Sequence, residues 1–197
     1  MNSFMFINNY FDNINYISKN IDRKKINQIV TYLIKLKKSK GRIFFLGVGG
    51  SAANCSHAVN DFRKLCGIES YTPTDNVAEL TARTNDEGWS KSFDNWLKIS
   101  QLKKNDIVIV FSVGGGNLKR KISLNIVNAI KFCKINSTKV ISIVGKKDGY
   151  AYKHSNCALV IPINDKKLIT PLSEAYQAVI WHLLVSHPKL QSNKTTW

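Results

Sequence analysis

Cysteine is scarce in this chain and never arranged as C-x-x-C. The four thiols, Cys55, Cys66, Cys133 and Cys157, are scattered through 197 residues. That spacing argues against a disulfide framework or a cysteine zinc site and predicts buried free thiols. No run approaches the ~20 apolar residues of a membrane span. The opening Met1-Asn2-Ser3-Phe4 lacks the basic start, apolar centre and small-residue cleavage site of a secretory signal, so a cytoplasmic protein is expected. Acidic residues are few, 13 against 29 Lys and Arg, which leaves a formal charge of +16. Such an excess raises the question of nucleic acid. The basic clusters are Arg23-Lys24-Lys25, Lys35-Leu36-Lys37-Lys38-Ser39-Lys40, Lys103-Lys104, Lys119-Arg120-Lys121 and Lys146-Lys147. Aromatic residues do not alternate with them as a base-stacking platform requires. They read as a solvated lysine-rich surface that also attracts anionic substrates, not as a nucleic-acid site.

What the chain does have is two strand-like runs that end in glycine-rich turns. Gly47-Val48-Gly49-Gly50-Ser51 follows the apolar run Ile43-Phe44-Phe45-Leu46 and opens a helical stretch. Asp106-Ile107-Val108-Ile109-Val110-Phe111 runs into Ser112-Val113-Gly114-Gly115-Gly116-Asn117, and a helical pattern resumes at Leu118. A helix start leaves backbone N–H groups unpaired at the positive end of the helix dipole, which suits an anion such as phosphate. Two such turns in one small α/β chain point to a phosphorylated small molecule held where the strand ends converge.

Along the chain, helical spacing from about Tyr10 to Lys38 places Ile14, Ile17, Ile21, Ile26, Ile29, Val30, Leu33 and Leu36 in stripes. This lead-in has more apolar surface than one sheet face covers, so residues 1–40 are expected to act as a helical oligomerisation segment ahead of an α/β core over 41–197. Predicted strands are Arg42 to Leu46, a short piece near Ser70 to Thr72, Asp106 to Phe111, Lys139 to Val144 and Ala158 to Ile163. Predicted helices are Ala52 to Leu65, Val77 to Arg83, Ser90 to Ser100, Lys119 to Lys134 and Leu172 to Ser186, the last stopped by Pro188. With 44% hydrophobic residues and no dividing linker, the expectation is one domain. Its architecture is a three-layer α/β/α sandwich on a central parallel sheet, flavodoxin-like.

These residues support a family resemblance. The strand-GxGGS-helix opening, the second strand with Ser112 and its glycine turn, Thr84-Asn85-Asp86, Gly145-Lys146-Lys147-Asp148-Gly149 and the late Glu-containing helix resemble the sugar isomerase (SIS) domain. Within it they look most like the phosphoheptose isomerases, which interconvert sedoheptulose 7-phosphate and a heptose 7-phosphate for surface polysaccharide synthesis. The resemblance covers nearly the whole chain. It implies a homotetramer with active sites between subunits and an aldose–ketose isomerisation through an enediol.

That chemistry needs a phosphate clamp, a carboxylate that moves a proton between two carbons, and a proton donor or metal ion at the developing oxyanion. Candidate clamp residues are Gly49, Gly50 and Ser51, with Asn54 on the same helix, and Ser112, Val113, Gly114, Gly115, Gly116 and Asn117 at the second turn. A plain helix cap is the other role open to each serine. His57 and Asp61 are four apart and share a helix face. The resemblance implies a histidine and a glutamate there, the glutamate acting as base, so Asp61 stands in with a carboxylate one methylene shorter. A histidine bonded to a surface aspartate is the alternative. Asn85 and Asp86 are expected, by resemblance, to reach substrate hydroxyls; the dipeptide also suits a simple turn.

The chain departs from the resemblance in two places. Gly114 and Asn117 replace two serines of the second turn, where glycine still allows close backbone approach. In the last helix the resemblance implies a Gln-Glu pair and a histidine seven residues after the Glu, with that glutamine and histidine joining the first histidine and the base around zinc. Aligning Glu174 leaves Ser173 at the glutamine and Trp181 at the histidine, with His182 one residue beyond. One residue turns a helical side chain by about 100°. Two arrangements follow: a site rebuilt with Glu174, Gln177 and His182, with His57, Asp61 and His182 as the metal set, or a lost zinc site. His154 and His187 read as structural or solvent-exposed. The catalytic candidates are Asp61, His57, Glu174 and His182. Two functions of different class fit: a phosphosugar isomerase, or a non-catalytic sugar-phosphate-binding or scaffold protein of the same fold.

Overall fold

The computed structural model describes residues 2–194. Its centre is a five-stranded, all-parallel sheet in the order β2-β1-β3-β4-β5: β1 Ile43–Leu46, β2 Ser70–Tyr71, β3 Ile107–Ser112, β4 Lys139–Val144 and β5 Cys157–Val160. In register, Ile43 pairs with Ser70 on one side and Ile107 on the other, and Ile107 pairs with Lys139. β1 and β3 are buried along their whole length, as strands covered on both faces must be. The chain leaves β1 for one neighbour and returns to the other side as β3. The two carboxyl ends therefore diverge and open the crevice in which α/β proteins of this order bind ligands.

Side-chain alternation sends each strand's residues to two cores. Ile43, Phe45, Ile109, Phe111, Ile141 and Leu159 pack with α2 (Arg23–Lys38), α3 (Gly50–Cys66) and α8 (Ile169–Val185). Phe44, Leu46, Val108, Val110 and Val140 pack with α5 (Ser92–Ile99), α6 (Leu124–Ile135) and α7 (Tyr150–His154). The three-layer sandwich expected from the sequence is the one found. The four cysteines are free and buried.

Several boundaries move. The lead-in is two helices, α1 (Ser3–Asn20) and α2, because Ile21 is extended (φ −64°, ψ 138°) and the Asp22 side chain accepts the Lys25 N–H at 3.0 Å, capping a new start. β5 stops at Val160, just before Pro162, which has no N–H to give a ladder. The stretch expected as one helix over Ser90 to Ser100 opens with a 3-10 turn, Trp89–Lys91, and then becomes α5. Only Asn13 and Ile17 of α1 are buried. The Tyr176 hydroxyl on α8 donates to the Ile14 carbonyl at 2.7 Å and also meets Ser18 Oγ at 2.7 Å, which fastens the second half of α1. The first half leaves Phe4, Met5, Phe6, Ile7 and Phe11 exposed.

Candidate active site

The first turn is built to bring a helix start against a strand end. Gly49 has φ +64° and ψ −130°, a conformation open to glycine. A methyl group at Gly47 would lie 2.5 Å from the Ser51 carbonyl oxygen, so only glycine lets α3 begin this close to β1. The Gly49 carbonyl takes the Ala52 and Ala53 N–H groups, while those of Gly50 and Ser51 have no backbone acceptor among the described residues. The Glu174 carboxylate lies against this start: a methyl on Gly50 would sit 2.5–2.8 Å from its atoms. Ser51 is buried.

Two turns further along α3, the catalytic candidates meet. His57 Nε2 and Asp61 Oδ2 are 3.9 Å apart, with the imidazole 60% exposed and the carboxylate 14%. His182, on α8, completes a cluster in which one donor atom each of His57, Asp61 and His182 all lie within 4.8 Å of one another. The one-residue offset therefore does not turn His182 away. Trp181, beside it, explains the placement: its buried ring stacks on His182 (centroids 3.4 Å, 30°) and lies 4.5 Å from the His57 ring. His182 Nδ1 donates to the Ala178 carbonyl at 2.8 Å, because a carbonyl only accepts, and this leaves Nε2 for the site. Gln177 is not part of the cluster. It is fully buried, and its Oε1 accepts from Asn54 Nδ2 at 3.1 Å, which also donates to the Glu174 carbonyl at 3.0 Å. Asn54 thus ties α3 to α8.

The second turn differs from its expected form. α6 begins at Leu124, not Lys119, because residues 117–122 close on themselves. Asn117 and Ile122 exchange backbone bonds at 2.9 and 3.0 Å, and Asn117 Oδ1 accepts the Arg120 N–H at 2.9 Å. Ser112 Oγ accepts the Gly115 N–H at 2.9 Å. The carbonyls of Gly115 and Gly116 accept from Ala151 and Tyr150 at 2.8 Å, locking α7 to the turn. Val113 and Gly114 stay at least partly accessible.

Other candidates lie apart. Asn85 and Asp86 are inside the last turn of α4 (Val77–Glu87), not in a turn after it; both are exposed, and Asn85 Nδ2 donates to Asp86 Oδ1 at 2.8 Å. His154 ends α7 and accepts from Lys134 Nζ at 3.0 Å; partial burial, then Lys134 and Lys153, hold its imidazole below the usual range. His187 follows α8 and its Nδ1 accepts the Lys189 N–H at 3.2 Å. Sequence reading missed the role of Trp181 as the surface on which both histidines rest.

Residues 9–145 match the family model of the SIS domain. The chain belongs to the SIS-domain family. It is 27% identical over 167 residues to a phosphoheptose isomerase of Helicobacter pylori, covering 82% of this chain and 81% of that one. In fold it is similar to a phosphoheptose isomerase from Francisella tularensis (TM-score 0.80, 21% identity, 94% of this chain and 97% of that one). The phosphoheptose isomerase of Neisseria gonorrhoeae gives a TM-score of 0.76 at 19% identity, covering 92% and 93%. The resemblance read from the glycine turns and the late helix is borne out.

Zinc, which that resemblance implies, fits the cluster. Two imidazoles and one carboxylate, with donor atoms within 4.8 Å of one another, are a donor set for zinc that leaves a fourth position open. Ser173 and Trp181 contribute no ligand of the implied kind; both are buried, with Oγ and Nε1 lacking a hydrogen-bond partner among the described residues.

Proposed function

We propose that this protein is an aldose–ketose isomerase of phosphosugars that interconverts sedoheptulose 7-phosphate and a D-glycero-heptose 7-phosphate, a step toward surface-polysaccharide heptose. The observation that carries the reading is the convergence of His57, Asp61 and His182 on two packed helices, in a chain whose relatives are named phosphoheptose isomerases.

The Asp61 carboxylate is the base. It takes the proton from the carbon that carries the hydroxyl beside the carbonyl, giving an enediol, and returns it to the neighbouring carbon. A carboxylate is sufficient because the carbonyl oxygen is protonated or held as negative charge develops on it. His182, its ring fixed through Nδ1 by Ala178 and by Trp181, gives that proton from Nε2 as the imidazolium and regains one from the hydroxyl that becomes the new carbonyl. His57 orients Asp61 and holds a substrate oxygen. Zinc bound by His57, Asp61 and His182 would polarise the carbonyl as a Lewis acid. Glu174, against the start of α3, is the second carboxylate of the site.

The exposed position of His57 makes the cluster open on one side, and the bare first half of α1 supplies a surface to close it. These two features support a homotetramer with sites between subunits, since a contiguous exposed apolar face is rare on a monomer. Sedoheptulose 7-phosphate supplied to the purified protein should yield an aldose heptose 7-phosphate, identified by NMR. Phosphosugar binding without turnover on any heptose or hexose phosphate would instead support the binding-protein reading. Light scattering at micromolar concentration should give a multiple of 22.2 kDa; the monomer mass would refute the shared site.

A further inference from the structure

We propose that the substrate's phosphate is gripped by Arg120 and Lys146, across the Gly114–Asn117 turn. The inference rests on the phosphosugar reading but assigns residues it does not. At the second turn the Arg120 N–H is already engaged with Asn117 Oδ1, while Ser112 Oγ accepts the Gly115 N–H and keeps its own O–H to donate. At the first turn the helix start faces the Glu174 carboxylate, which occupies the region of positive potential and repels a dianion.

Cations take over beside the second turn. A cleft of about 120 Å³ has Gly114, Gly116, Asn117, Arg120, Ser123 and Lys146 in its lining. It adjoins a second cleft, of about 250 Å³, that includes Lys119 and Lys153; the two share Gly116, Asn117 and Asp148. Among the described residues none of these four cations forms an ion pair, and among them Asp148 is the one carboxylate lining either cleft. The walls leave room, since a methyl at Gly114 would meet nothing within 4 Å. Arg120 is presented by a loop pinned at both ends by the Asn117–Ile122 bonds, so less freedom is lost when its planar fork takes a phosphate. Lys146 follows Gly145, which packs against the hydroxyl of Ser173, the neighbour of Glu174 on α8. Four merely solvated cations would look the same from charge alone; the glycine walls and the pinned Arg120 loop favour a built clamp.

Inorganic phosphate titrated into the folded protein, followed by amide and Arg Nε–H NMR signals, tests this directly. Shifts should concentrate at Gly114 to Asn117 and Arg120. Arg120→Gln and Lys146→Gln should each weaken phosphate about tenfold or more, and Asp148→Asn should tighten it several-fold. Lys24→Gln, on α2, serves as the control for net charge and should change little. In the isomerase assay the first two variants should raise KM with kcat nearly unchanged. Phosphate shifts confined to Gly49–Ser51, a loss equalled by Lys24→Gln, or no phosphate binding at all would overturn the clamp while leaving the isomerase reading intact. Phosphate binding that depends on Arg120 and Lys146 without any sugar turnover would uphold the clamp and defeat the isomerase reading.

Discussion

The two glycine turns look alike in sequence and do different work in the fold. The first runs straight into α3, with Gly47 and Gly49 letting the helix start crowd the end of β1, and its helix carries His57 and Asp61 toward α8. The second makes a closed loop of its own before α6 begins, spends its serine on an internal bond, and is clasped by α7. One turn is a rigid launch for catalytic side chains, and the other is a frame that displays basic residues. A strand followed by glycines therefore specifies a close backbone approach, while the residues after the glycines decide whether a helix or a loop uses it.

The sharpest break of this contrast is on the first turn's helix. Asp61→Asn should lower kcat by about 10²–10⁴-fold with KM nearly unchanged, because the amide cannot accept the carbon-bound proton. Unaltered turnover in that variant would move the base to Glu174. The equivalent removal at the second turn, Ser112→Ala, should leave kcat close to wild type.

Stability should separate the turns next. Gly47→Ala drives a methyl into the Ser51 carbonyl and should cost about 1–3 kcal/mol or more, as overpacking against backbone does. Gly114→Ala meets open space and should stay within about 0.5 kcal/mol of the parent. Urea unfolding of both variants measures the difference; equal midpoints would mean that the two turns are equally tolerant. Ser112→Ala falls between them. It leaves the Gly115 N–H without its partner in a buried position, so a loss of about 1 kcal/mol is expected. A neutral result would show that water or another acceptor replaces the hydroxyl.

How much of this was legible in sequence follows the same division. Apolar runs such as Ile43 to Leu46 announce doubly covered strands by themselves, because burial on both faces leaves no place for a polar residue. Four-residue spacing put His57 and Asp61 on one face of α3 without any tertiary information. The position of His182 was not readable, since it depends on how α8 is rotated against α3, and that rotation is set by the buried packing of Trp181, Gln177 and Ser173. The delayed start of α6 was hidden for a local reason. Lys119, Arg120 and Lys121 are good helix formers, and the reciprocal Asn117–Ile122 bonds override that preference. Likewise the break at Ile21–Asp22 hinges on one capping aspartate inside a continuous apolar stripe.

The smallest expected effect uses a thiol on each of the two turns' helices. Cys66 ends α3 and Cys133 lies in α6; burial pushes the first up to about 11 and the second up to about 12, from an ordinary value of 9.0. In the unfolded chain both release their protons near the ordinary value, while the folded chain keeps them. Above pH 9 the unfolded state therefore binds fewer protons than the native one, and stability must fall as pH rises toward the folded values. The stability is fully present below pH 9, so a thiol reagent at pH 8 should find all four cysteines unreactive until the protein unfolds. From about pH 9 the urea midpoint should decline, and between about pH 11 and 12 Cys133→Ala should make that decline shallower than Cys66→Ala does, because there Cys66 ionises in the fold while Cys133 keeps its proton. Equal slopes in the two variants would show that the helices after the first and second turns are equally able to admit water around a thiolate, and that the contrast between the turns does not extend into the cores behind them.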